Sequence, residues 1–239
     1  MTDLLDRAVE AHGGLSRFNQ FQTVSAYLVM GGGLWELKGQ AGVFNQVRVT
    51  VDLHQEHASF APFKHPNQQT FFTPNRIAIE TTEGAVVEER THPRAAFAGH
   101  TPQTPWDELH ALYFGSYAMW TYLTIPFSLT WAGFEAREID PWQEQGETWR
   151  RLKVTFPPYI ASHSTEQTLY IGNDGLLRRH DYNVEVVGNA PLAHYPSEYK
   201  DISGLLIWTK RRAFIRQPDN TPALDQLMIA IDLSAIRYG

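Results

Sequence analysis

Between Ala111 and Phe134 the chain runs for 24 residues without one charged side chain. A stretch this poor in charge is withdrawn from water, either into a bilayer or into protein. Its contents point to protein. Tyr113, Tyr117, Trp120, Tyr122 and Trp131 are spread through it instead of gathering at its ends, threonines add hydroxyls, and Pro126 interrupts any helix that would run its full length. The segment is read as the buried part of a globular fold, with no integral membrane span.

A well-signalled helix leads into it. Thr104 is placed to cap this helix, Pro105 to stand at its first position, and Asp107 and Glu108 to meet the positive end of its dipole. Trp106, Leu109, Tyr113, Tyr117 and Trp120 recur at intervals of three and four, while the far side carries Ala111, Leu112, Phe114, Ala118 and Met119. A helix that is apolar nearly all round must be wrapped by other parts of the protein.

Strands supply the wrapping. Val43, Val47, Val49, Val51 and Leu53 fall on one side of an extended segment, and Gln46, Arg48, Thr50, Asp52 and His54 on the other. Similar strands are predicted at 77–81, 85–90, 150–156, 165–171, 176–187, 206–215 and 228–236, and Leu34-Trp35-Glu36-Leu37 alternates as one after a flexible Gly31-Gly32-Gly33 turn. Segments this close have no room for crossover helices, so they pair antiparallel. Gly172-Asn173-Asp174-Gly175 has the turn chemistry of a hairpin. At the N-terminus, Thr2 is placed to cap a short amphipathic helix and Gly13 to stop it. The predicted fold class is α+β, mainly antiparallel β: an incomplete half β-barrel wrapped around a buried helix. Residues 1–239 are read as one domain.

This element order carries a resemblance. An N-terminal helix closes on His12-Gly13-Gly14, helical material divides two runs of strands, and a late hairpin at Asn173-Asp174-Gly175-Leu176 is followed by Tyr195, Tyr199 and Asp201-Ile202-Ser203-Gly204-Leu205. The pattern resembles the LolA/LolB-like superfamily of bacterial lipoprotein carriers and lipoprotein-sorting factors. The resemblance implies a half-barrel of antiparallel strands under a helical lid, with an interior that holds acyl chains.

Composition narrows the function. With 20 Lys and Arg against 26 Asp and Glu, the net charge of −6 offers no basic field for nucleic acid. Cysteine is absent, which removes disulfides, thiolate nucleophiles and Cys-held metals or clusters. Met1 to Gly14 contains Asp3, Asp6 and Glu10 and no apolar core of a secretory signal, so a cytoplasmic location is expected. No phosphate-binding, dinucleotide or His-Glu-x-x-His motif occurs, and no cofactor is implied.

Ten histidines invite closer reading. His54-Gln55-Glu56-His57 is the densest group, but a strand would turn His57 away from its neighbours, and the group is read as a solvated strand end, not a metal site. His12 is read as a dipole-favoured residue at a helix C-terminus. Arg178 and His180 share a strand face, and Lys210-Arg211-Arg212 with Arg216 add positive potential that would greet a carboxylate or phosphate. Their predicted setting is a wet sheet face.

Three functions fit these features. In the first, a cleft between the curved sheet and the plug helix binds or carries an apolar small molecule or lipid, with Trp35, Trp106, Leu109, Tyr113, Tyr117, Trp120, Tyr170 and Trp208 as candidate contacts. In the second, an enzyme acts on a hydrophobic small molecule in the same cleft, using His100, His110 or His180 as the acid–base group. In the third, the core is full and the protein is structural or binds a partner through a sheet edge. The first is the reading adopted.

Overall fold

A computed structural model describes residues 2–239. The side-chain oxygen of Thr2 accepts from the Leu5 N–H and starts α1 (Asp3–Ala11), whose Leu4, Leu5, Ala8 and Val9 are buried. After α2 (Leu15–Phe18) come β1 (Thr23–Gly31), α3 (Gly33–Leu37), β2 (Asn45–Asp52), β3 (Ala58–Ala61), β4 (Gln68–Thr73), β5 (Arg76–Thr81) and β6 (Val86–Thr91). The central helix is α4 (Glu108–Thr124). Beyond it lie β7 (Glu135–Glu144), β8 (Glu147–Thr155), β9 (Glu166–Ile171), β10 (Leu177–Val184), β11 (Ala190–Ile202), β12 (Leu205–Arg216) and β13 (Pro222–Tyr238).

All 13 strands join one antiparallel sheet, in the order β6-β5-β4-β3-β2-β1-β13-β12-β11-β10-β9-β8-β7. Each half of the chain is a meander, and the pairing of β1 with β13 welds the two together. Strands β6 and β7 remain as edges, so the sheet is open.

The same helix shows that the sheet is bent. Tyr113 packs on Phe72 of β4 with ring centroids 5.7 Å apart, and the Tyr122 hydroxyl lies 2.6 Å from that of Tyr182 in β10. In a flat sheet those strands, seven steps apart, would be separated by about 34 Å, more than twice the roughly 14 Å that nine helical residues rise. Only a sheet curled around α4 meets both ends of it. The predicted half-barrel with a buried helix is the observed architecture, and 16 of the 17 helix residues are buried.

Several local expectations differ. The cap of α4 is Asp107, whose carboxylate accepts from the His110 N–H at 2.9 Å while His110 Nδ1 accepts from the Asp107 N–H at 3.3 Å. Thr104 instead turns its carbonyl to Lys38. Trp35 lies in a short helix, not a strand, because Gly32, at φ 110, presses on β13 so closely that a Cβ would sit 2.5 Å from the Met228 carbonyl oxygen. Gly32 is thus a packing requirement, not one residue of a flexible turn. Arg178 and His180 do not share a face, because a register shift between Leu177 and Arg179 turns His180 inward and leaves Arg178 with Asp174. His12 is buried, with its ring 2.7 Å from the Ala8 carbonyl, and burial lowers its pKa to about 4, so it is neutral and not a dipole-held cation. The hairpin at Gly172–Gly175 forms as predicted, with the Gly172 N–H donating to the Leu176 carbonyl at 2.9 Å.

Gly115 marks the tightest contact of the plug: a Cβ there would lie 2.4 Å from the Phe44 ring. Gly115→Ala gains about 1 kcal/mol of helix propensity and meets an overpacking cost of about 1–3 kcal/mol. We expect a net loss of stability, read as a lower urea midpoint with unchanged slope.

Candidate ligand site

The inner face of the half-barrel is not uniformly apolar. Where α4 meets the second meander, a line of hydrogen bonds runs through its interior. Tyr122 of α4 lies 2.7 Å from His163 Nε2 and 2.6 Å from the Tyr182 hydroxyl, which in turn lies 2.9 Å from His194 Nδ1. His163 stacks flat on Tyr182, with centroids 4.0 Å apart. His180 Nε2 donates to Gln167 Oε1 at 2.6 Å, and His180 Nδ1 faces an Arg211 nitrogen at 3.5 Å. All these side chains are buried.

Burial sets their charge. The pKa values of His163, His180 and His194 fall well below the ordinary imidazole value, because desolvation penalises the cation and Arg211 repels it. The same desolvation raises the tyrosines: Tyr113 is pushed up to about 12, and Tyr122 and Tyr182 are raised as well. The interior is therefore neutral apart from Arg211. Several polar atoms there have no partner: His163 Nδ1, His194 Nε2, the Tyr117 hydroxyl, and Ser116 Oγ and Thr121 Oγ1 on the helix.

The open side is closed by the segment that joins β8 to β9. Its Ala161 N–H donates to Glu56 at 2.8 Å, the Ser162 carbonyl accepts from Arg94 at 2.8 Å, and His163 follows directly. A cavity of about 380 Å³ opens in front of it, lined by Arg94, Tyr113, Ile160 and Ser162 among others. Glu56, expected on a wet strand end, is buried because the chain bends after Asp52, whose carboxylate accepts from the His54 and Gln55 N–H groups. Burial raises its pKa well above the usual carboxylate range. Among the described residues no group of His, Asp and Glu is placed to hold a metal ion, and no helix is long and apolar enough to cross a membrane.

Seven of the eight predicted contacts belong to one buried core. Trp35, Trp106, Leu109, Tyr113 and Tyr117 gather around the first turns of α4, with the Trp35 and Trp106 rings 6.3 Å apart. Trp120 donates to the carbonyls of Asp52 and Gln55 at 3.1 and 2.8 Å, and Trp208 to that of Tyr122 at 3.0 Å. These indoles pin the helix to both meanders. Tyr170 stands apart, on the outer face of β9, where its hydroxyl donates to Asp181 at 2.7 Å beneath the Arg179 guanidinium. Of the candidate acid–base residues, His180 lies in the interior cluster, whereas His110 completes the helix cap and its Nε2 donates to the Ala96 carbonyl at 3.2 Å. His100 lies beside His110, 4.9 Å between ring centroids. A larger cavity, about 720 Å³, lies outside β11 and β12, where Trp149, Tyr195, Phe214 and Leu224 form its apolar wall. None of the eight predicted contacts lines it.

Sequence reasoning missed His163 and His194, and it set Arg211 on a wet sheet face where the structure buries it. The one available signal was the mixture of His, Tyr and Arg at alternate positions of otherwise apolar strands, such as His180 and Tyr182.

Geometry and element order define the class: an open antiparallel half-barrel holding a helix in its concavity. Solved structures share it. A DUF1329 family protein from Desulfovibrio piger superposes with a TM-score of 0.53 at 12% identity, covering 98% of this chain and 91% of that one. A LolA superfamily protein from Nitrosomonas europaea does so with a TM-score of 0.53 at 9% identity and the same coverage. No protein-family model and no curated protein sequence matches the chain. The fold is LolA-like, as the element order implied.

Two pH effects follow with opposite sign. The three interior histidines have folded pKa values depressed below 6.5, so their contribution is complete above that pH and is lost as pH falls below it. Thermal midpoints should drop between about pH 6.5 and about pH 5, with a shallower slope in His194→Gln. The folded pKa of Glu56 is raised above 4.5, so its effect is the reverse: stability is lost as pH rises from that value towards the folded pKa. Glu56→Gln, which still accepts from Ala161, should gain on the native protein as pH rises above about 5 in the same melts.

Proposed function

We propose that the protein binds or carries an apolar small molecule or lipid between the curved sheet and α4. The observation that supports this most is the incomplete hydrogen bonding of the helix–sheet interface. Cores that serve only stability satisfy nearly all their buried polar atoms. Here the Tyr117 hydroxyl, His163 Nδ1 beside the Tyr117 ring and His194 Nε2 beside Tyr122 are unpaired, and Ser116 and Thr121 on the same helix each leave a hydroxyl unpaired as well. An interface that parts to admit a guest has a use for these groups. The LolA-like fold agrees, since one structural neighbour is described as a LolA superfamily protein. The guest would displace part of the plug's own contacts and enter past the segment that joins β8 to β9.

A second reading rests on the chain His163–Tyr122–Tyr182–His194, an unbroken hydrogen-bonded line suited to moving a proton between two imidazoles. It assigns the same interior to an acid–base enzyme acting on a hydrophobic small molecule.

Organic extraction of the purified protein followed by mass spectrometry tests the binding reading. A stoichiometric lipid or apolar metabolite is expected. An empty preparation that also fails to bind a hydrophobic dye would leave a filled structural core instead. Turnover of a hydrophobic ester panel that is lost in both His163→Gln and His194→Gln would favour the enzyme.

A further inference from the structure

Three cations are fully buried in this protein, and two of them are answered. Arg179 donates to Asp181 at 2.6 and 2.8 Å, to Glu144 at 2.7 Å and to the Asn220 carbonyl at 2.7 Å. The Lys38 ammonium is caged by the carbonyls of Thr101, Pro102 and Thr104 at 2.8 to 3.2 Å. Arg211 is the exception. Its Nε and Nη1 have no acceptor, and its Nη2 has only a His180 nitrogen, 3.5 Å away. Among the described residues no carboxylate forms an ion pair with it, although Lys210 and Arg212 on either side reach Glu198 and Asp232. The Tyr122 ring lies 4.1 Å and the Trp208 ring 5.0 Å from its guanidinium carbon. Those faces steady the cation but accept none of its N–H bonds. A buried charge is tolerated when it is paired, and no described residue supplies the pairing group for Arg211.

We propose that Arg211, with His180, His163 and His194 around it, is a binding site for the anionic head group of an amphipathic ligand, a carboxylate such as a fatty acid presents. This deepens the binding reading above and rests on it: the apolar tail lies along α4 and the head group meets the guanidinium. The head accepts from Arg211 Nε and Nη1, and one of the two unpaired nitrogens, His163 Nδ1 or His194 Nε2, is available as a further donor, since the Tyr122–Tyr182 line takes the proton of the other histidine. The approach lies through the cavity lined by Arg94, Tyr113 and Ser162, the last of which precedes His163 in the chain.

The test compares three probes by calorimetry on the delipidated full chain, with intrinsic tryptophan fluorescence as a second readout. They are decanoate, decanol and acetate. Decanoate is expected to bind at least about tenfold more tightly than decanol, a difference that Arg211→Met abolishes. Equal binding of decanoate and decanol to the native protein overturns the head-group site and leaves the apolar reading standing. Acetate binding as tightly as decanoate keeps an anion site at Arg211 but removes the amphiphile from it and the apolar reading with it. If no probe binds, both fall. The native-protein comparison decides the matter even if Arg211→Met does not fold.

Discussion

The structure depends on one constraint: α4 has no face that water would accept. A helix with a polar side can rest on a flat sheet and leave that side wet. This one must be surrounded, and the sheet can surround it only by bending until strands far apart in the order touch the same helix. The indole bonds of Trp120 and Trp208 then hold it from both sides, one to the chain leaving β2 and one to β12 by way of Tyr122. Curvature, strand number and the weld between β1 and β13 all serve that enclosure.

Enclosure in turn sets the chemistry. A surface histidine is free to titrate, while one held against α4 and Arg211 stays neutral because the cation would be both desolvated and repelled. The outer face solves the same problem differently. Arg179, as buried as Arg211, lies in a ring of Asp181, Glu144, Tyr170 and Tyr195, covered by the tip of the β7–β8 hairpin. One sheet thus carries a self-sufficient ion cluster outside and an unanswered cation inside. The contrast sets the two faces apart: outside, the guanidinium finds its acceptors within the chain, and inside, Arg211 Nε and Nη1 find none.

Much of the fold was legible because its signals are local. The apolar stretch, the alternation through Val47, Val49 and Val51, and the Gly172–Gly175 turn each depend on neighbouring residues alone. Strand β7 escaped notice because it is mostly polar and contains Pro141, which an edge strand tolerates. Strand β11 was hidden by Pro191 and Pro196, and its Tyr195 and Tyr199 were visible only as isolated aromatics. The start of α4 shifted from Thr104 to Asp107 because Lys38, far away in sequence, claims the Thr104 carbonyl.

By itself the sequence determined that the middle of the chain is buried, that antiparallel strands bury it, and that no basic field or cysteine chemistry is available. Those properties follow from solvation and from residue spacing within a few positions. Only the tertiary structure decided that Arg211 turns inward while Lys210 and Arg212 turn out, that His180 parts from Arg178, and that His163 and His194 meet across Tyr122 and Tyr182. Such facts depend on register, on a one-residue irregularity and on which distant carboxylates come within reach. Spacing along the chain carries no record of these, because the energy of a buried charge is set by distance through space.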